Sequence, residues 1–339
     1  MIKRNSPRQL LSVPVVKKRT NFTGRHASIL IIALWTLCFM ASFCVVIGYS
    51  VRSKLSLVKR LNERDALSFI GEAGVKRGID QIQRESKKDY ISLKDDWYSN
   101  KAAFTDVALG GGSFALDIED EASKVNINTS DIKVLSRIFS LVLNIGEQEA
   151  QDLAASVIDW RDTDSELILP LGSAEDSYYR NSVPEYEAKD TDFEVIPEVL
   201  LVKGMNKEHF DKVKNYLTIY GNGKVNINTA SKQVLSALGI SDDIVNDIFS
   251  YRAGEDKDLN TKDDNVFQSD SEIVSKLSQF VHLSDSEVAL LSNISGKYLT
   301  VNSDYFLVKS VAQLNNSKLR LEISSVISMS GKILYWQEL

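Results

Sequence analysis

Apolar and polar positions divide this chain into regimes with different periods. From Ser28 to Val51 no residue is charged, and Ile29, Leu30, Ile31, Ile32, Leu34, Trp35, Phe39, Phe43 and Val45 to Ile47 make the run almost continuous. These 24 residues predict about 36 Å of helix at a rise of ~1.5 Å per residue, enough to cross a bilayer with some tilt. The run exceeds the ~7 to 15 apolar residues of a secretory signal. Past Arg52 the apolar positions Leu55, Val58, Leu61, Leu67, Ile70, Ala73, Ile79 and Ile82 recur at helical spacing with charges between them. No proline interrupts residues 28 to 86. The pattern therefore predicts one continuous helix, transmembrane over 28–51 and amphipathic over 52–88.

Alternation of period two follows. The glycine turn Leu109 to Ser113 precedes Phe114 to Asp120, which reads as a half-buried strand in a segment spanning 89–122. The next β patterns come only in 301–339, where Tyr305 to Ala312, Leu319 to Ile327 and Lys332 to Trp336 are separated by turns at Asn315-Asn316-Ser317 and Ser330-Gly331. They predict an antiparallel meander, completed as a layer by the first strand and the long helix. The fold class is α+β, with a large, mostly helical insert at 123–300.

The insert contains a repeat. Lys124-Val125-Asn126-Ile127-Asn128-Thr129-Ser130 and Lys224-Val225-Asn226-Ile227-Asn228-Thr229-Ala230 agree at six of seven positions. Thr129 and Thr229 stand where helix N-caps are expected, because helical apolar spacing begins just after each. The pattern resembles the entry to helix-hairpin-helix, SAM-like modules, which often bind the DNA backbone through hairpin amides. The hairpins here, Asn144-Ile145-Gly146 and Leu238-Gly239-Ile240-Ser241, lack the second glycine and are followed by Glu147, Glu149, Asp152 and by Asp242, Asp243, Asp247. Acids there repel phosphate, so a protein-interaction insert is favoured over nucleic-acid binding.

Charge supports that reading. The basic leader 1–27 holds seven of the 40 Lys and Arg residues and none of the 46 acids, which leaves 33 basic against 46 acidic residues and a net −13 for the remainder. Such a leader holds the N-terminus in the cytoplasm and places everything after Val51 on the exported side. Cys38 and Cys44 both lie in the apolar run, six residues apart, and cannot pair within one helix.

Two acidic loops follow the hairpins. In the first, Asp162 and Asp164 face Glu175 and Asp176 across the loop arms, and carboxylates so arranged repel one another unless a cation such as Ca²⁺ takes them as ligands. The second offers Asp256, Asp258, Asn260, Asp263 and Asp264, and reads equally as a solvated acidic loop or a cation loop. Neither fits an EF-hand. Calcium is the cofactor the residue types suggest.

Taken together, the apolar start Ser-Ile-Leu-Ile-Ile-Ala-Leu-Trp, the continuous helix, Asp159-Trp160-Arg161-Asp162-Thr163-Asp164, Ala174-Glu175-Asp176-Ser177-Tyr178-Tyr179 and the late meander resemble a K-type minor pseudopilin of type II secretion. The resemblance implies a membrane helix processed by a prepilin peptidase and packed in a pseudopilus, with a bulky head at its tip and calcium-stabilised acidic loops. The matching cleavage bond is Ala27-Ser28, with Gly24-Arg25 as runner-up. Most pseudopilins carry a glutamate at mature position five; cleavage after Ala27 puts Ile32 there. A subunit without that acid needs no neighbour above to neutralise it in lipid, which fits a tip position. Implied partners are minor pseudopilins of I and J type, and the implied location is the inner membrane, N-terminus cytoplasmic and head periplasmic.

Catalysis finds no pattern: His26, His209 and His282 are isolated, and Gly221-Asn222-Gly223-Lys224 lacks the spacing of a phosphate loop. The chain reads as a non-enzyme. A membrane-anchored helix-hairpin-helix DNA receptor and a type IV pilus tip subunit remain the alternatives.

Overall fold

The computed structural model describes residues 25–339, with side chains from Ser28 onward. The leader up to Gly24, including the runner-up cleavage position at Gly24, lies outside the described residues. The described residues divide into two units, with the boundary between Asn62 and Glu63. Helix α1, Arg25–Glu85, is a single element of 61 residues, as the absence of proline predicts. In the first unit it is long and apolar enough to cross a membrane. Ser28 and Ile32 are both exposed on it.

The second unit holds two hydrophobic cores. The smaller one joins the C-terminal part of α1 to a five-stranded sheet, with Leu67, Ile70, Val75 and Ile82 of the helix buried. Gly71, Gly74 and Gly78 let the helix lie close to the sheet. A Cβ at Gly71 would stand 2.7 Å from Ile323 Cδ1, one at Gly78 2.8 Å from Val308 Cγ1, and one at Gly74 would overlap Ser310.

In chain order, strand β1 (Val107–Leu109) turns through left-handed Gly110 into β2 (Gly112–Asp120). The insert then contributes four two-residue strands: β3 (Val125–Asn126), β4 (Leu217–Thr218), β5 (Val225–Asn226) and β6 (Leu299–Thr300). The chain returns through β7 (Tyr305–Leu314), β8 (Arg320–Ser328) and β9 (Ile333–Glu338). The antiparallel sheet runs in the order β1-β2-β7-β8-β9, so the first long strand pairs with one that follows the whole insert, Phe114 opposite Ala312 and Asp117 opposite Lys309. Alternation works as read: Phe114, Leu116 and Ile118 of β2 and Phe306, Val308 and Ala312 of β7 are all buried on one face. At about 1.5–3 kcal/mol for each large buried side chain, that face supplies most of the layer's stability. Strand β1 was not anticipated, because Leu109 reads as turn when only the glycines after it are weighed.

The larger core fills the insert, whose two halves are built alike. Val125 pairs in parallel with Leu217 and Asn126 with Thr218; Val225 pairs with Leu299 and Asn226 with Thr300. Each copy of the repeat thus closes on a later Tyr-Leu-Thr segment, Tyr216-Leu217-Thr218 or Tyr298-Leu299-Thr300. The helices that follow the copies are Ile132–Leu143 and Lys232–Ala237.

The N-caps stand two residues later than the sequence suggests. Asp131 accepts from the Lys133 and Val134 amides, and Ser231 Oγ accepts from the Val234 amide. Thr129 and Thr229 instead belong to a turn in which the carbonyls of Asn126 and Asn226 accept the following amides. The turn wins because the preceding asparagines are fixed in the parallel bridges.

Candidate cation site in the first repeat

The asparagines of the repeat hold each half together. Asn128 Nδ2 donates to the Phe193 carbonyl at 3.0 Å and its Oδ1 accepts the Phe193 amide at 2.9 Å. Asn228 does the same with Phe267, at 2.9 Å in both directions. The first asparagine of each copy accepts from the second one's amide, Asn126 Oδ1 from Asn128 and Asn226 Oδ1 from Asn228. An arginine at the end of each second helix reaches back to the same turn. Arg161, ending helix Glu147–Arg161, donates to the carbonyls of Ile127 and Ser130; Arg252, ending helix Asp242–Arg252, donates to that of Ala230 at 2.7 Å. Asn128, Asn228 and the two arginines are therefore engaged with the protein's own backbone.

The second copy also ties the insert to the sheet. Asp120, at the end of β2 and fully buried, accepts from Asn226 Nδ2 at 2.9 Å, Thr229 Oγ1 at 2.6 Å and the Ala122 amide at 2.7 Å. Burial among these neutral donors pushes its carboxyl above the ordinary range. The counterpart Asn126 donates instead to the carbonyls of Tyr220 and Gly221 in the link between halves.

Acids gather where the first half ends. Asp159 and Glu175 are buried, and Asp162 caps the C-terminus of helix Glu147–Arg161. Asp159 Oδ1 accepts the Ile168 amide at 3.2 Å, but Asp159 Oδ2, Asp162 Oδ1 and Glu175 Oε1 are buried without a hydrogen-bond donor. Burial, followed by repulsion from Asp159, Asp162, Asp190 and Asp176, pushes Glu175 up to about 7. Burial and the charges of Asp164, Asp159 and Asp190 push Asp162 up to about 6, against a smaller opposing pull from Arg161. Arg161 compensates little because its guanidinium is committed to the repeat's carbonyls.

Of the anticipated ligands, Asp162 and Glu175 meet here. Asp164 contributes its field while its Oδ1 accepts the Glu166 amide, and Asp176 turns away to Arg180 at 2.8 Å and the Ala188 amide at 2.9 Å. Asp159 and Asp190 take their place. Asp159 opens the acidic run of the first loop, and Asp190 lies 15 residues past Glu175, beyond the loop that the acidic run marks. Among the described residues, no three such side chains converge tightly enough to coordinate an ion as they stand.

The second acidic loop is arranged differently. Asp263 accepts the amides of Glu255 and Asp256 and the Thr261 hydroxyl, Asp264 accepts the amides of Asn260 and Thr261, and Asp256 accepts the Asp258 amide. Left-handed Gly254, Lys257 and Asn260 turn those amides inward. Hydrogen bonds from Thr261 and the Asp256 amide hold Asp263 down at about 2. No oxygen of Asp256, Asp258, Asn260, Asp263 or Asp264 is among the buried atoms without a partner.

Comparison with known proteins bears on this architecture. Residues 115–222 match the family model for type II secretion system protein K. The Type II secretion system protein K of Pseudomonas aeruginosa is 24% identical over 235 residues, 63% of this chain and 68% of that protein. That of Aeromonas hydrophila is 25% identical over 338 residues, 91% of this chain and 96% of that protein. These matches support a K-type minor pseudopilin of type II secretion. The chain functions as a minor pseudopilin in type II secretion and is membrane-anchored. The K-type fold is matched in a crystal structure of the GspK-GspI-GspJ complex from enterotoxigenic Escherichia coli, with TM-score 0.61 and 19% identity, covering 85% of this chain and 99% of that one.

Proposed function

We propose that this minor pseudopilin sits at the tip of the pseudopilus, where it helps to initiate assembly and works with I-type and J-type partners to move folded proteins across the outer membrane. The observation that carries the reading is a large helical insert between β2 and β7, two strands that pair in one sheet. A body of that size on every subunit would obstruct lateral packing along a shaft, whereas a terminal subunit has room for it. Ile32 in place of an acid fits the same end position, because a buried carboxylate without a neighbour is costly in lipid. The anchor lies in the inner membrane with the N-terminus cytoplasmic and the head periplasmic, and a prepilin peptidase cuts at Ala27-Ser28. The part this chain plays is structural, without chemistry of its own. Copurification of the exported fragment with the I-type and J-type subunits of the same organism is the test. A stable complex of one copy of each is expected; failure to bind either one contradicts the tip assignment. N-terminal sequencing of the mature chain is expected to begin at Ser28.

The head also holds one calcium ion, in the first acidic loop. Asp159, Asp162, Glu175 and Asp190 supply a donor set of hard oxygens, and three buried oxygens without donors support it. The ion would neutralise the cluster and draw together the helix end, the loop and its return.

A further inference from the structure

The stretch of α1 directly after the apolar run has a charge pattern that the pseudopilin reading leaves unused. From Arg52 to Asn62 there are four basic residues, Arg52, Lys54, Lys59 and Arg60, and no acid, whereas the chain after Val51 as a whole is strongly acidic. All four are exposed, and Leu55, Leu57, Val58 and Leu61 between them are also exposed, at 63%, 57%, 51% and 51%. Among the described residues, Arg52, Lys54 and Arg60 have no carboxylate partner.

We propose that Arg52, Lys54, Lys59 and Arg60 form a cationic collar that binds the phosphate headgroups of anionic phospholipids in the leaflet where the helix leaves the membrane.

Two features select lipid phosphate as the occupant. The collar is continuous with the apolar span, and Arg52 to Arg60 covers about 12 Å of helix at ~1.5 Å per residue. Headgroups extend several ångströms beyond the hydrocarbon on each side, so Arg52 and Lys54 lie at their level. Lys59 and Arg60 lie within about one Debye length, ~8 to 10 Å, and their long side chains can snorkel back. The second feature is composition. Cationic heads alternating with exposed leucine and valine suit an interface that is anionic outside and apolar beneath. An acidic protein surface would match the charges but not the leucines at the same depth.

The inference rests on the membrane-anchored reading, and the test separates the two. The full chain is reconstituted into phosphatidylcholine vesicles, and the preference of its lipid shell for spin-labelled phosphatidylglycerol over spin-labelled phosphatidylcholine is measured by electron paramagnetic resonance. The triple variant R52Q/K54Q/R60Q is compared at equal leader charge, so lipid attracted to residues 1–27 cancels. The collar predicts a selectivity drop of at least about fivefold in the variant, since each cationic side chain near an anionic surface contributes about that factor, and a comparable drop in ~1 M salt. The R52K/R60K variant keeps the wild-type preference. Equal selectivity in wild type and triple variant overturns the proposal, as does a triple variant that keeps its lipid preference but no longer copurifies with I-type and J-type subunits. A chain that fails to float with vesicles at all contradicts the anchor itself.

Discussion

The two halves of the insert share a frame and differ at its end. In both, an asparagine is paired through two hydrogen bonds to a phenylalanine backbone, an arginine closes on the preceding turn, and a parallel bridge ends on Tyr-Leu-Thr. The first half then leaves Asp159, Asp162 and Glu175 with unanswered oxygens, whereas the second turns Asp256, Asp263 and Asp264 onto its own amides. Density of acid does not make a cation site. What matters is whether the backbone can answer the carboxylates. Left-handed residues at Gly254, Lys257 and Asn260 let the short second loop do so, while the first site is assembled from a helix end, a loop and a distant return.

The largest effect that separates the halves is calcium dependence. Saturating calcium at about one hundred times its dissociation constant should stabilise the exported fragment by ~2.7 kcal/mol over the chelated form. Melting with and without chelator checks this, and D159N/E175Q should abolish the difference while D256N/D263N leaves it intact.

The pH dependence of the chelated head comes next. Glu175 and Asp162 are raised in the folded chain, so the native state holds protons that the unfolded state has released between about pH 4 and pH 7. Stability should fall as pH rises through that window. The loss is on the order of 2 kcal/mol, discounted because Asp162 is partly exposed and Asp164 is exposed. Melting curves from pH 4 to 8 measure it, and calcium should flatten the slope.

The shared frame is probed by Asn128→Ala and Asn228→Ala. Each strands a backbone amide and carbonyl, at a cost of roughly 1–3 kcal/mol. Asn228 should cost more because it is buried at 2% exposure while Asn128 is half-buried. Chemical denaturation separates the two values. The smallest contrast is between the threonines: Thr229→Ala removes the hydroxyl bond to Asp120 and should cost about 1 kcal/mol, whereas exposed Thr129→Ala should stay within about 0.5 kcal/mol.

Much of this architecture is legible in the chain. The long helix follows from period and the absence of proline, and the strands from alternation. The repeat is visible by identity, and its closing partner could have been found too, since Tyr216-Leu217-Thr218-Ile219 recurs as Tyr298-Leu299-Thr300-Val301. The helix caps were misplaced because Thr129 and Thr229 are good capping residues locally, and only the bridges to β4 and β6 show that the chain is still extended there. The candidate cation site was legible in part. Asp162 and Glu175 stand in an obvious acidic run, but Asp190 joins them only through the three-dimensional return of the loop. Local spacing also gives no sign that Asp176 is drawn off by Arg180.

Calorimetric titration of the exported fragment with calcium puts the difference between the halves to its most direct test. One ion per chain is predicted, lost in D159N/E175Q and retained in D256N/D263N. Two ions per chain, or binding that survives D159N/E175Q, would contradict it.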